Sequence, residues 1–290
     1  MDPISLNQHH NQAIAKNHTK EIQANKEAWN SLAQDHYQEY KQRLSDPNDR
    51  INPFVARELG DLGDLRGKSI LHLQCNTGAD SIRLARMGAR VTGVDFAPDN
   101  IRLATKLAEE LEISQVEFIQ ADVLELAQVH QGKYDLIVTF DGVVGWLPDL
   151  VRWGKTIGQF IKPDGVFYLH DAHPIFMIFD EEEMDHGRLV PKYPYFDTSP
   201  EVDDTIGGYA SEPKHKTHYF WGHTLTTIIQ GLLAGGMVVT YFQEYDRCVP
   251  GMGGRVKDDQ GLNYYPEFEG KIPISLSLMA KPLISQIQKT

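Results

Sequence analysis

Short apolar runs and helical stripes alternate between residues 69 and 171 of the chain. The runs, which we interpret as five strands, are residues 70–73, 90–94, 116–120, 134–140 and 166–170. Between them, apolar positions recur at three- and four-residue steps, the period of an amphipathic helix. The helices that this period predicts are residues 79–87, 98–111 and 150–161. Strands that alternate with helices at this spacing predict an α/β fold with a doubly wound, mostly parallel sheet.

The residues before this block predict an arm and a helical lid. Residues 1–18 are polar and show no periodicity, so we expect a mobile arm. Residues 20–44 have a helical pattern, and one face carries Trp29, Leu32, Ala33, His36, Tyr37 and Tyr40. This face either packs on the sheet domain or covers a ligand, to which Tyr37 or Tyr40 would present its hydroxyl. With a short helix near residues 54–59, the arm and the lid form a unit of residues 1–66.

After the fifth strand the α/β pattern breaks. Residues 172–222 hold an acidic run, several prolines and many aromatic residues, which predicts a cap inserted at this point. The aromatic residues would hold a planar or amine-bearing substrate, or they would form the cap's own small core. The remaining residues, 223–290, predict one helix followed by a pair of strands, with a glycine-rich loop at 248–270 between the strands.

The composition narrows the class of partner. The 290 residues include 28 Lys and Arg against 40 Asp and Glu, a formal net charge of -12 without a basic stripe, so we expect no nucleic-acid partner. No apolar run approaches the ~20 residues of a membrane span, and the N-terminus lacks a signal-peptide pattern. We therefore expect a cytoplasmic protein without a membrane partner, either a monomer or a homodimer. Cys75 and Cys248 lie too far apart in sequence to predict a metal cluster or a disulfide framework.

The stretch from Ser69 to Asp95 carries the clearest chemistry. A buried strand leads into the turn Asn76-Thr77-Gly78, a helix follows, and the next strand ends at Asp95. Such a turn lets backbone N–H groups approach a ligand, and a terminal acid accepts hydrogen bonds from ribose hydroxyls. The stretch therefore predicts a nucleoside-binding βαβ unit. It contains neither Gly-x-Gly-x-x-Gly nor Gly-Lys-Ser/Thr, which argues against a dinucleotide site and a P-loop.

In these motifs the chain resembles the class I S-adenosylmethionine-dependent methyltransferases. The resemblance covers about residues 71–169 through ILHLQCNTG, GVDFAPDNI, ADVLEL, YDLIVTFDGVVGWL and the Lys-Pro-Asp-Gly turn, and extends more loosely to the C-terminal strand pair. It implies a Rossmann-like sheet of seven strands with an antiparallel last strand, a cofactor-binding core at 67–171, and completion of that core by 223–290. It also implies S-adenosyl-L-methionine as cofactor, S-adenosyl-L-homocysteine as product, and in-line methyl transfer to N or O of a small molecule.

The resemblance places the methionine part of the cofactor on the first turn. Gln74, Cys75 and Asn76 would line it through backbone groups, and Gly78 is the family's turn glycine that remains. We also predict His72 and Gly78 as cofactor-binding residues. His72 stands where the family has an acid in the strand, while Gln74 and Asn76 replace two glycines. A non-catalytic cofactor-binding or scaffold protein is therefore an alternative, and methylation of a peptide or protein is a further one.

The other cofactor contacts follow from the later motifs. The resemblance implies that Asp95 takes the ribose hydroxyls and that Phe96 lies against the adenine. Asp122 would accept from the adenine amino group and Val123 would donate a backbone N–H, unless Asp122 only caps the following turn. Phe140 would sit beside the sulfonium end of the cofactor.

Candidate catalytic residues lie at the ends of the fourth and fifth strands. The resemblance places Asp141 next to the sulfonium end, facing the substrate. His170, Asp171 and His173 follow the fifth strand, at the sheet edge where ligands of open α/β sheets bind. They would anchor a loop, supply a base or orient the substrate through His173 first, or hold a divalent metal. Our predicted catalytic residues are His173, His170, Asp141 and Tyr37, and we predict no metal site.

Overall fold

Helices and strands alternate through the described residues of this computed structural model, which are 18–46, 48–207 and 209–283. Two helices come first, α1 (Thr19–Leu44) and α2 (Pro53–Asp61). The alternating block consists of β1 (Ser69–Leu73), α3 (Ala79–Arg86), β2 (Arg90–Asp95), α4 (Pro98–Glu110), β3 (Val116–Gln120), β4 (Tyr134–Phe140), α5 (Leu150–Phe160) and β5 (Ile161–Ala172). The later elements are α6 (Glu181–Asp185), β6 (Pro200–Ile206), β7 (Lys214–Trp221), α7 (Leu225–Ala234), β8 (Met237–Tyr245), β9 (Val256–Lys257), β10 (Asn263–Tyr264) and β11 (Ser275–Pro282). Apart from His18, the predicted arm lies outside the described residues.

Seven of these strands form one sheet in the order β3-β2-β1-β4-β5-β11-β8. Strands β1 to β5 pair in parallel, and β11 is antiparallel to both of its neighbours. The predicted mostly parallel, seven-stranded sheet with an antiparallel last strand is confirmed. Strand β5 is longer than predicted, because Ile161 already pairs with Tyr134 and the register then shifts before Val166 pairs with Leu136. The predicted turn at residues 162–165 is thus an irregular stretch inside the strand.

Apolar side chains of the sheet alternate between two packed faces. Leu71, Ile137 and Leu169 pack under α5 and α7 on one face. Ile70 and Leu136 pack under α2 and α3 on the other. Because both faces of these strands are covered, apolar residues are favoured at successive positions. This explains the continuous apolar runs in the sequence. None of the helices that the structure describes combines the length and apolar character needed to cross a membrane.

Helix α1 packs against α4 and against the β6–β7 hairpin. The Asn25 side chain donates to the Tyr219 carbonyl at 2.8 Å and accepts from the Tyr219 N–H at 2.7 Å, which pairs the helix with β7. Lys214 adds a hydrogen bond to the Ser31 carbonyl and an ion pair with Asp35. These contacts join α1 to the hairpin within the segment that the sequence predicts as a cap.

Candidate functional site

The turn between β1 and α3 has a left-handed backbone at three positions. The φ angles are 55° at Gln74, 52° at Asn76 and 79° at Gly78. A left-handed conformation costs a residue with a β-carbon about 1 kcal/mol or more, and Asn tolerates it better than Gln. The strain at Gln74 therefore has to be offset by contacts that this conformation makes possible. One is the hydrogen bond from Gln74 Nε2 to the Val143 carbonyl at 2.9 Å.

Asp95, at the end of β2, holds this turn through its carboxylate. Its Oδ2 accepts from the Asn76 N–H at 3.0 Å. Its Oδ1 accepts from the Ala97 N–H at 2.9 Å and from Asn100 Nδ2 at 3.1 Å. Burial raises the pKa of the Asp95 carboxyl, and these hydrogen bonds oppose that shift. The predicted turn and the predicted strand-end acid thus form one connected unit.

His72 and Phe140 lie behind the turn. Their rings stack with centroids 4.7 Å apart, and His72 Nδ1 lies 2.8 Å from Ser81 Oγ on α3. Burial lowers the pKa of His72 to about 4, so the imidazole is neutral at pH 7. His72 is therefore no substitute for a strand acid as a source of negative charge. Cys75 is also buried, and burial raises the pKa of its thiol well above the usual range, so it is not a thiolate.

Unpaired acceptor atoms collect around the turn and the acid. Buried oxygen or nitrogen atoms without a hydrogen-bond partner among the described residues include Gln74 Oε1, Thr77 Oγ1, Asn100 Oδ1 and His36 Nε2. An unpaired buried polar atom costs about 1–3 kcal/mol, so such atoms in a native structure call for a partner. This donor and acceptor set fits the polar methionine and ribose parts of an S-adenosylmethionine cofactor.

Helix α1 and the loop after β6 cover the turn. His36 Nδ1 lies 3.2 Å from Asn76 Oδ1, and Asn76 Nδ2 lies 3.4 Å from the Tyr209 hydroxyl. The His36 ring lies 5.0 Å from the Tyr209 ring and 5.9 Å from the Tyr40 ring. Sequence reasoning placed His36 on the apolar face of α1 but gave it no role, because only the tertiary fold brings residues 36 and 209 to residue 76.

Tyr37 points away from this region, which corrects its prediction as a catalytic residue. Its hydroxyl donates to Glu110 at 2.6 Å, at the last residue of α4, and its ring lies in the core between α1, α3 and α4. Successive residues of a helix point about 100° apart, so His36 and Tyr37 face different neighbours. Tyr40, the alternative that the sequence left open, has its ring 5.9 Å from the His36 ring and so lies nearer to the turn.

The residues predicted for the adenine lie along the ends of β2 and β3. Phe96 is half-buried, and so is Asp122, whose carboxyl has a pKa raised by burial. Asp122 Oδ1 accepts from the Leu124 N–H at 2.8 Å, the capping contact of the alternative interpretation. Val123 is buried, and its carbonyl accepts from Thr156 on α5. The capping contact uses one carboxylate oxygen, so it is compatible with the predicted adenine contact.

Asp141 and His170 form a pair at the ends of β4 and β5. His170 Nδ1 lies 2.8 Å from Asp141 Oδ1, and Asn52 Nδ2 donates to the same oxygen at 2.8 Å. The His170 ring is fully buried and stacks on Phe54, and its Nε2 has no partner among the described residues. Sequence reasoning missed Asn52, which also caps α2 by accepting from the Phe54 N–H; an Asn before Pro53 signalled the cap but not the pairing.

Asp171 and His173 are engaged in anchoring loops. The Asp171 carboxylate accepts backbone N–H bonds from Gly142, Val143 and Val144, which fixes the loop after β4. His173 Nδ1 accepts from the Ile175 N–H at 3.0 Å, and its Nε2 lies 2.9 Å from Glu244 Oε1. Burial lowers the pKa of His173, although Glu244 opposes this. With its Nδ1 lone pair already used, His173 is a weaker base candidate than His170.

Within residues 18–46, 48–207 and 209–283, no three His, Cys, Asp or Glu side chains are arranged to hold a metal ion.

Comparison with known proteins identifies the family. The model of the methyltransferase domain family matches residues 64–212. A ubiquinone biosynthesis O-methyltransferase from Acinetobacter baylyi is 32% identical over 124 residues, 42% of this chain and 52% of that protein. The enzyme of the same name from Escherichia coli O7:K1 is 35% identical over 124 residues, 42% of this chain and 51% of that protein. The match thus spans about half the length of these curated relatives.

Solved structures show the same fold. An S-adenosylmethionine-dependent methyltransferase from Clostridium acetobutylicum aligns with a TM-score of 0.53 at 14% identity, over 85% of this chain and 92% of that one. Another from Mesorhizobium loti aligns with a TM-score of 0.51 at 17% identity, over 78% of this chain and 95% of that one. The match to residues 64–212 shows that this chain belongs to the methyltransferase domain family, and its fold is that of the S-adenosylmethionine-dependent methyltransferases.

Proposed function

We propose that this protein transfers a methyl group from S-adenosyl-L-methionine to an oxygen atom of a small molecule. The observation that carries the proposal is the left-handed turn at residues 74–78, bonded through Asn76 to the buried carboxylate of Asp95. The choice of oxygen is supported by the relatives at 32% and 35% identity, which are named O-methyltransferases. The choice of a small molecule is supported by α1 and Tyr209, which cover the turn and leave less room for a peptide.

Different residues would bind the different parts of the cofactor. We assign the ribose to Asp95, the adenine to Phe96, Asp122 and Val123, and the methionine part to the turn of Gln74, Cys75 and Asn76. When bound, the cofactor would supply a methyl group on a positively charged sulfur, and this sulfur would be the leaving group when the methyl carbon passes to the acceptor atom. The protein then has to orient the acceptor and take up its proton.

We assign to His170 the uptake of the proton that the acceptor loses. Asp141 Oδ1 accepts hydrogen bonds, so the nearby Nδ1 of His170 carries the hydrogen and Nε2 carries the lone pair. An imidazole oriented in this way by a carboxylate is suited to act as a general base. His173 is the second candidate, although its Nδ1 lone pair is occupied by the Ile175 N–H.

The aromatic residues of the lid and the hairpin give only indirect support for a planar acceptor. Trp146 contacts Trp29, His218 and Phe220 at ring distances of 5.0, 5.3 and 5.5 Å. These rings pack on one another, as a small core would. We therefore name no residue as a contact of an aromatic or amine-bearing acceptor. Such acceptors are included instead among the compounds tested for methyl transfer.

A cofactor-binding protein without turnover is the second candidate, because the Gln74 side chain reaches from the turn to Val143 across the position predicted for the methionine part. The first experiment is calorimetric titration with S-adenosylmethionine and with S-adenosylhomocysteine. Binding is then followed by transfer of a labelled methyl group to phenols, catechols, carboxylic acids and amines. Binding with O-methylation supports the proposal, binding without transfer to any acceptor favours the second candidate, and the absence of binding contradicts both.

A further inference from the structure

His36 is a buried imidazole that the family match, which begins at residue 64, does not include. Its ring is 0% exposed, and it contacts the cofactor turn through Asn76. Its Nε2 has no hydrogen-bond partner among the described residues. A fully buried nitrogen beside a ligand-binding turn needs a partner, and residues 18–46, 48–207 and 209–283 do not provide one.

The contacts of Asn76 fix which nitrogen carries the hydrogen. Asn76 Oδ1 accepts from the Thr77 N–H at 2.7 Å, and Nδ2 is the atom nearest to the Tyr209 hydroxyl. Oδ1 is therefore an acceptor, so His36 Nδ1, at 3.2 Å, carries the hydrogen. In the neutral ring, Nε2 then holds a lone pair and can only accept. Burial lowers the pKa of His36, while Asn76 and Asp35 oppose the shift and Lys214 adds to it, so the ring is neutral at pH 7.

The aromatic rings around the His36 ring suit a cation. The rings of Trp29, Tyr40 and Tyr209 lie 6.0, 5.9 and 5.0 Å from the His36 ring. Aromatic rings and an imidazole lone pair both attract an ammonium group. Gln74 Oε1, on the same turn, is a further buried acceptor without a partner among the described residues.

We propose that His36 is a cofactor-binding residue whose Nε2 accepts a hydrogen bond from the ammonium group of the cofactor's methionine part. The proposal rests on the proposed function, because the family resemblance places the methionine part on the turn that His36 contacts. It assigns to α1 a direct role in holding the cofactor. The hydrogen bond to His36 would also compensate for the strand acid that His72 replaces, because the neutral His72 brings no negative charge to this turn.

The test compares S-adenosylhomocysteine with its deamino analogue, in which hydrogen replaces the amino group, by calorimetry on the full-length protein. We expect the wild type to bind S-adenosylhomocysteine at least tenfold more tightly than the analogue, the scale of a hydrogen bond to a charged group. His36→Phe, which keeps a ring but removes both nitrogens, should lower the affinity for S-adenosylhomocysteine about tenfold and leave the affinity for the analogue within twofold. His36→Gln, which keeps an acceptor, should restore part of the loss.

The matched control is Tyr37→Phe, the neighbouring residue of α1 that faces Glu110, which should leave both affinities within twofold. A folded His36→Phe protein that binds both ligands as the wild type does, or loses both equally, would overturn the role in ammonium binding. So would a wild type that binds both ligands equally well, while the proposed function would stand. A wild type that binds neither ligand would contradict the proposed function and this inference together.

Discussion

His170 Nδ1 lies 2.8 Å from Asp141 Oδ1, and these two residues, 29 positions apart in sequence, meet where β4 and β5 end side by side. A third residue, Asn52 at the N-terminus of α2, donates a hydrogen bond to the same oxygen. The carboxylate favours the tautomer with the hydrogen on Nδ1, and the amide holds the carboxylate oxygen in place. The pair is therefore a preorganised unit at the sheet edge where the acceptor would bind.

His170→Asn should lower kcat at least about a hundredfold, since general-base catalysis typically contributes 10²–10⁴. The affinity for S-adenosylhomocysteine should stay within about twofold, because the residue lies outside the predicted cofactor contacts. The measurements are initial rates with an acceptor found in the panel and calorimetry on the same protein. The control is His215→Asn, an exposed histidine. A wild-type kcat in folded His170→Asn would remove the residue from catalysis, and the same assay on His173→Asn decides between the two imidazoles.

Asp95→Asn should weaken S-adenosylhomocysteine binding by about 1.5–3 kcal/mol, the scale for hydrogen bonds to a charged acceptor. The amide cannot accept with both of its ends, so it also loses one of the bonds from Asn76 or Ala97 that the carboxylate accepts. Calorimetry gives the affinity, and circular dichroism confirms that the variant is folded. Asp164→Asn, at an exposed position of β5, is the control. Unchanged affinity in folded Asp95→Asn would contradict the ribose role.

Glu58→Gln should lower the free energy of unfolding by about 2–3 kcal/mol. The buried Glu58 carboxylate accepts from the hydroxyls of Tyr168, Tyr241 and Tyr245, and hydrogen bonds to a charged group are worth about 1.5–3 kcal/mol each. The amide nitrogen of Gln cannot accept, so at least one hydroxyl loses its acceptor. Urea unfolding measures the loss, with the exposed Glu109→Gln as control. Equal stability of the two variants would show that the tyrosines find other partners.

Acidification from pH 7 to about pH 4 should destabilise the fold in part through His72. Its pKa is about 4 in the folded chain and ordinarily about 6.5, so the unfolded chain binds a proton in this interval that the folded chain does not. Stability therefore falls as the pH falls through this window, by at most about 3 kcal/mol for this group, and the loss stops growing below the folded pKa. Urea unfolding of the wild type and of His72→Asn at pH 7, 5.5 and 4.5 tests this. His72→Asn should show a shallower loss, whereas identical slopes would contradict the assignment.

The sequence by itself determined the alternation of elements and the cofactor turn. Both depend on local information: a buried strand is a continuous apolar run, a helix repeats at 3.6 residues, and a strand, a turn and a terminal acid lie within 27 residues. The bounds of β3 and β4 agree with the predicted runs for this reason, and Asp95 does lie against the turn at Asn76.

Only the tertiary structure decided which side chains meet. The apolar stripe of α1 could not show that Tyr37 faces Glu110 while His36 faces Asn76, because a stripe gives the buried face of a helix but not its neighbours. The pairing of Asn52 with Asp141, and the pairing of β11 with β5, join segments separated by 89 residues or more. Contacts at such separations are set by how whole elements pack, which no local pattern records.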